Sequence, residues 1–172
     1  MDKIGNIYIV GFMGTGKTSA GRLVARQLGL EFVDMDTLVA EREKRSIPDI
    51  FKESGEPYFR RLEKGLVAEL TQKKGVVVSC GGGAFVDPEN IAVMKKTGVV
   101  VCLTSSPEKI LERTKRYAHR PLLQVADPLA RIRELLEARR PSYEQAHHLI
   151  DADRLSVKET AEMILHVVQD HE

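Results

Sequence analysis

Eight consecutive residues carry the clearest chemistry in this chain: Gly11-Phe12-Met13-Gly14-Thr15-Gly16-Lys17-Thr18. They fill every fixed position of G-x-x-x-x-G-K-[ST]. Glycines let a loop curl until its backbone N–H groups face inward onto phosphate oxygens. The apolar run before the motif reads as a strand. The stretch from Lys17 reads as a helix, whose positive N-terminal end adds to an anion site. Lys17 is expected on the β- and γ-phosphates of a nucleoside triphosphate, and the Thr18 hydroxyl on Mg²⁺. Gly14, Thr15, Gly16 and Ser19 complete the expected nucleotide cradle. Such a motif binds a nucleotide and leaves open what receives the phosphate.

A pair of carboxylates follows the second apolar run, in Asp34-Met35-Asp36. Extended backbone would put both on one side and Met35 on the other. Near a phosphate loop they would repel unless a cation or a substrate hydroxyl separated them. The third apolar run, Val76–Cys80, ends in glycine rather than in an acid, so Asp34 becomes the candidate metal ligand and Asp36 the candidate partner of a hydroxyl. Taken alone, D-x-D serves equally well as a solvated strand end or a helix cap.

Other residues could complete an acceptor site. Gly81-Gly82-Gly83 directly follows the third strand candidate. Three glycines there permit close approach of backbone to a ligand, at the carboxyl end of the sheet where open α/β folds bind ligands, although a turn would also use one or two of them. Arg60 and Glu63 are three apart on a helix, a spacing that also describes an ordinary solvated pair. Arg120 and Arg139 offer forks that match carboxylate or phosphate, yet each alone reads as a surface arginine.

The elements that must position these groups alternate along the chain. Strands are expected at Asn6–Val10, Glu31–Asp34, Val76–Cys80, Val99–Leu103 and His148–Asp151. Helices are expected at Lys17–Leu28, Thr37–Arg45, Pro48–Ser54, Pro57–Lys73, Pro88–Lys96, Pro107–Lys115, Pro128–Arg139 and Val157–Gln169. Prolines open several of them, where a missing N–H costs little. Strand–helix alternation with near-continuous Val and Ile runs predicts an α/β fold on a parallel sheet.

Composition narrows the partners. With 26 Lys and Arg against 25 Asp and Glu in 172 residues, the balance argues against nucleic acid as the main partner. No run approaches the roughly 18 apolar residues of a membrane span, and the start does not read as a signal peptide. The cysteines, Cys80 and Cys102, have no ligand-spaced partners, so a reduced, cytoplasmic protein is expected. There is no heptad seam, and a monomer is the default expectation.

Together these motifs resemble those of shikimate kinases. The likeness is carried by GFMGTGKT (Gly11–Thr18), DMD (Asp34–Asp36), SIPDIF (Ser46–Phe51), GEPYFRRLE (Gly55–Glu63), GGGA (Gly81–Ala84), RPLL (Arg120–Leu123) and RRPSY (Arg139–Tyr143), in the family's order. The FRRLE, GGG and RPLL set is far more specific than the phosphate loop. The resemblance implies a P-loop kinase fold with a five-stranded parallel sheet in order 2-3-1-4-5, flanked by helices. It implies one domain over residues 1–172, with a substrate-binding segment at about 34–62 and a lid at about 113–127. ATP would be the donor, the 3-hydroxyl of shikimate the acceptor, and one Mg²⁺ the cofactor.

The resemblance also implies roles. Lys17 would bind phosphate. Thr18 and Asp34 would hold Mg²⁺, with Ser79 assisting through water. Asp36 would orient the acceptor hydroxyl and act as base. Arg60, Gly82 and Arg139 would bind shikimate, the two arginines on its carboxylate. Arg120 would reach the transferred phosphate from the lid, and Arg113 would stack on adenine. One departure is the loop Asp153–Val157, which lacks the proline the family often has there. In the implied strand order Cys80 and Cys102 are two strand spacings apart, roughly 10 Å, beyond the about 7 Å limit for a disulfide. Two rivals are a kinase for gluconate or a nucleoside monophosphate, and a nucleotide-dependent switch without turnover.

Overall fold

The structure is a computed structural model that describes residues 5–116 and 123–171. Its centre is a five-stranded sheet in the order β2-β3-β1-β4-β5. The strands are β1 (Asn6–Gly11), β2 (Glu31–Asp34), β3 (Val76–Ser79), β4 (Gly98–Thr104) and β5 (His148–Asp151). Every pairing is parallel; Ile7, for example, lies between Val77 of β3 and Val99 of β4.

Period-two alternation splits the apolar runs between two cores. Ile7, Ile9, Val77 and Val101 face helices α1 (Lys17–Leu28) and α8 (Val157–Gln169) through Val24, Ile164 and Val168. Tyr8, Val10, Val78, Val100 and Cys102 face the opposite layer. That layer holds α2 (Met35–Glu43), α3 (Ile47–Ser54), α4 (Glu56–Leu70), α5 (Pro88–Thr97), α6 (Pro107–Thr114) and α7 (Pro128–Tyr143). Ile7 and Ile9 are fully buried, each contributing about 1.5–3 kcal/mol of transfer free energy. Many turns begin on a capped helix: Ser46, Asp87, Ser106, Asp127 and Ser156 each accept a backbone N–H from the first turn that follows.

Three elements depart furthest from their expected boundaries. The extended reading of Asp34-Met35-Asp36 is incorrect: β2 stops at Asp34, and α2 begins at Met35 rather than Thr37. Asp34 caps α2, its Oδ1 accepting from Thr37 N at 2.9 Å, while Met35 packs into the core at 1% exposure. A cap bond and a buried side chain outweigh two more residues of strand. Helix α4 ends at Leu70, short of Lys73. Helix α7 runs beyond Arg139, through Pro141, to Tyr143. Proline disfavours helix in the residue before it, but here Tyr143 is buried and holds the last turn in place.

Cys80 and Cys102 are both free and buried, as the strand order requires. Burial raises the Cys80 thiol far above its ordinary value and pushes Cys102 up to about 12, so neither is a reactive thiolate.

Candidate active site

The carboxyl ends of the strands open into a cleft of about 850 Å³. All the expected site residues that the structure describes line it: Gly14, Thr15, Gly16, Lys17, Thr18, Ser19, Asp34, Asp36, Arg60, Gly82, Arg113 and Arg139. Arg120, and most of the RPLL motif with it, lies outside the described residues.

The phosphate loop spans the turn from β1 into α1. Gly14 and Gly16 take positive φ values of 78° and 93°, which a side chain would strain. Thr15 ties the loop to itself, Oγ1 donating to Phe12 O at 2.8 Å. Lys17 Nζ donates to the carbonyls of Gly11 (2.8 Å) and Phe12 (2.9 Å), which keeps its ammonium on the loop's inner side. Beside it, Thr18 Oγ1 donates to Asp34 Oδ2 at 2.6 Å and lies 3.3 Å from Ser79 Oγ. Three hard oxygen donors thus meet next to the phosphate cradle. That donor set suits Mg²⁺, which binds through few protein oxygens plus water and substrate phosphates. No cluster of three or more His, Cys, Asp or Glu able to hold a metal exists among the described residues.

Arg113 joins two loops at the far end of the cleft. Its guanidinium donates to Gly14 O at 3.1 Å and to Ala152 O at 3.4 Å, linking the phosphate loop to the turn after β5. The planar group is therefore fixed between those two loops in the cleft wall.

The acceptor end is assembled from distant segments. Arg60, on α4, donates from Nη1 to Glu63 Oε1 at 3.0 Å and from Nη2 to Glu56 Oε1 at 3.2 Å. Glu63 is only 3% exposed, so the pair is not a solvated surface bridge. The glycine loop packs between these groups. A Cβ at Gly81 would stand 2.8 Å from Glu63 Oε2 and 3.0 Å from Asp36 Oδ1, so the two carboxylates flank the same backbone. A Cβ at Gly83 would collide with the Arg60 guanidinium. At Gly82 it would meet Arg139 Nη1 at 3.2 Å and Met13 N at 3.6 Å, which places the glycine loop against the phosphate loop. Arg139 is 7% exposed, with its guanidinium 5.3 Å above the Phe12 ring. Ile47, Pro48, Phe51 and Phe59 form an apolar wall beside these polar groups.

One cleft thus brings together a phosphate loop, the Asp36 carboxylate, two arginines and a glycine loop. The family model for shikimate kinase matches residues 13–169. The chain belongs to the shikimate kinase family. It is 48% identical to the shikimate kinase of Thermus thermophilus over 166 residues, covering 96% of this chain and 90% of that one. It is 46% identical to that of Thermodesulfovibrio yellowstonii over 160 residues, covering 93% and 92%. Among solved structures, the shikimate kinase from Acinetobacter baumannii in complex with shikimate superposes with a TM-score of 0.94 at 40% identity, covering 98% of this chain and 95% of that chain.

Two residues escaped sequence reasoning: Glu63 in the cleft lining, and Tyr143, whose hydroxyl bonds the cleft's Gly82. Glu63 was visible only as Arg60's helix partner, because nothing in FRRLE tells a buried face from an exposed one. Its Oε2 is buried without a hydrogen-bond partner among the described residues. Burial pushes its carboxyl above the ordinary value, with Arg60 pulling the other way and Asp36 adding to the rise. Tyr143 was part of the RRPSY string, but ending the helix at Arg139 hid that the two share a face.

Proposed function

We propose that this chain transfers the γ-phosphoryl group of ATP to the 3-hydroxyl of shikimate, giving shikimate 3-phosphate and ADP, a step toward the aromatic amino acids. The observation that carries the reading is a single cleft in which Asp36, Arg60, Arg139 and the glycine loop are gathered beside the phosphate loop. A compact hydroxylated carboxylic acid fits that set of groups. Its carboxylate would take the arginine forks and a ring hydroxyl would meet Asp36.

In this mechanism the bond forms between the acceptor oxygen and the γ-phosphorus as the bond to the β-phosphate oxygen breaks. Asp36 orients the hydroxyl and takes its proton. Lys17 and the loop N–H groups offset charge on the equatorial oxygens. Thr18 and Asp34, with Ser79 through water, would hold one Mg²⁺. When bound, that ion neutralises charge on the phosphates. Arg113 stacks against adenine. Arg120 belongs to a lid over about 113–127 on the strength of the resemblance, and reaches the phosphoryl group when water is excluded. The substrate-binding segment at about 34–62 carries the acceptor side, within one domain over residues 1–172.

No helix among the described residues is long and apolar enough to cross a membrane. We infer a cytoplasmic monomer acting on small molecules rather than on nucleic acid or membrane; buried free cysteines and balanced charge support the compartment and the small-molecule reading. The deciding assay couples ADP release to shikimate, gluconate, CMP and AMP in turn. Turnover with shikimate alone is the expected outcome. Turnover with another acceptor, or ATP binding without acceptor-dependent turnover, would overturn the reading.

A further inference from the structure

Arg139 and Tyr143 are four residues apart on α7, and both point into the protein at 7% and 6% exposure. The phenol donates its one proton to Gly82 O at 2.6 Å. Its oxygen can still accept, and Arg139 Nη1 stands 3.5 Å away as the donor. On its other side the Arg139 guanidinium lies over Phe12. One hydroxyl therefore touches both the glycine loop and the arginine of the anion subsite.

The glycine loop needs such a tether. Three residues without side chains have the widest backbone freedom in the chain. A peptide plane is rigid, so fixing the Gly82 carbonyl fixes the whole 82–83 peptide. Arg139 carries a long side chain that would otherwise lose rotamer freedom on binding. Burial pushes the Tyr143 hydroxyl up to about 12, so it remains a donor across any working pH.

We propose that Tyr143 is a positioning residue whose hydroxyl holds Gly82 and Arg139 in one arrangement, ready for the acceptor's carboxylate. The inference rests on the reading of that subsite given above. It assigns Tyr143 no contact with substrate; the residue acts through the two groups it fixes.

The test compares Tyr143→Phe and Arg139→Ala with wild type on shikimate and on its methyl ester, which lacks the charge. The Phe variant keeps the ring among its apolar neighbours, and a thermal melt checks its fold. On shikimate, Tyr143→Phe is expected to raise KM about tenfold while kcat moves less than about threefold and the KM for ATP stays constant. On the ester its effect should disappear, because the group being positioned for is gone. Equal losses on acid and ester would mean a general structural role and would overturn the proposal. A large effect of Arg139→Ala with none from Tyr143→Phe would overturn it too, leaving the subsite standing. No effect from either variant would sink the subsite and the proposal together.

Discussion

On the proposed assignment, the phosphate cradle of the donor half is built from neighbours in sequence, and the acceptor half from strangers. The nucleotide cradle is one loop and the first turn of α1, from Gly11 to Ser19. Its backbone geometry comes from its own glycines, and even Lys17 is steadied by carbonyls of the same loop. The acceptor half draws Asp36 from α2, Arg60 and Glu63 from α4, the glycines after β3, and Arg139 from α7, with Tyr143 of the same helix bonded to Gly82. Those groups meet only because the sheet and the helix layer that holds α2, α4 and α7 deliver them. A local motif can be copied between folds with its chemistry intact. An assembled subsite depends on packing, and so it carries the specificity.

If the halves are separable in this way, damage to one should leave the other intact. The largest effect is expected for Asp36→Asn. Asparagine keeps the size and a hydrogen bond but cannot take a proton, so kcat should fall about 10²–10⁴-fold. ATP affinity, measured by titration calorimetry without acceptor, should be unchanged. A variant that lost ATP binding as well would show that Asp36 supports the donor side and that the halves are not independent.

The same contrast explains what the sequence disclosed. The phosphate loop, the strand candidates and the parallel sheet were legible because period and spacing act locally. Asp34 and Asp36 were singled out by their types, although the geometry assigned to them was wrong: a strand cannot continue where Asp34 is already capping α2. Arg60 and Arg139 gained meaning only from the resemblance, since an arginine on a helix looks the same whether it faces water or a cleft. Glu63 and Tyr143 needed coordinates. Their importance lies in contacts to Gly81 and Gly82, eighteen and sixty-one residues away in the chain.

An intermediate effect should follow Gly83→Ala. The added Cβ would overlap the Arg60 guanidinium, which can swing aside because it is the end of a flexible side chain. The fold should survive while the anion subsite loses one fork. We expect the KM for shikimate to rise about tenfold, with little change in the KM for ATP. Parallel rises in both constants would mean that the glycine loop also shapes the donor half, through its contact with the phosphate loop.

The smallest effect concerns stability, and it asks what the acceptor half costs the empty protein. Glu63 is nearly inaccessible, with one oxygen unpartnered among the described residues and Asp36 nearby. Its folded pKa lies above the unfolded value, chiefly from burial. Below the unfolded value, about 4.3, the group is neutral in both states. As pH rises through the folded value the native state must ionise a buried acid, so stability present at low pH is lost. Glu63→Gln removes that loss while leaving an oxygen that can accept from Arg60. Its melting temperature relative to wild type should therefore climb as pH goes from about 4 to 7. A gain of a few degrees is the expected scale, since about 1 kcal/mol moves Tm by about 2–4 °C at this size. A difference that stays flat with pH, or falls, would mean that Arg60 already compensates the charge in full. The acceptor half would then hold its arginine at no cost to the fold.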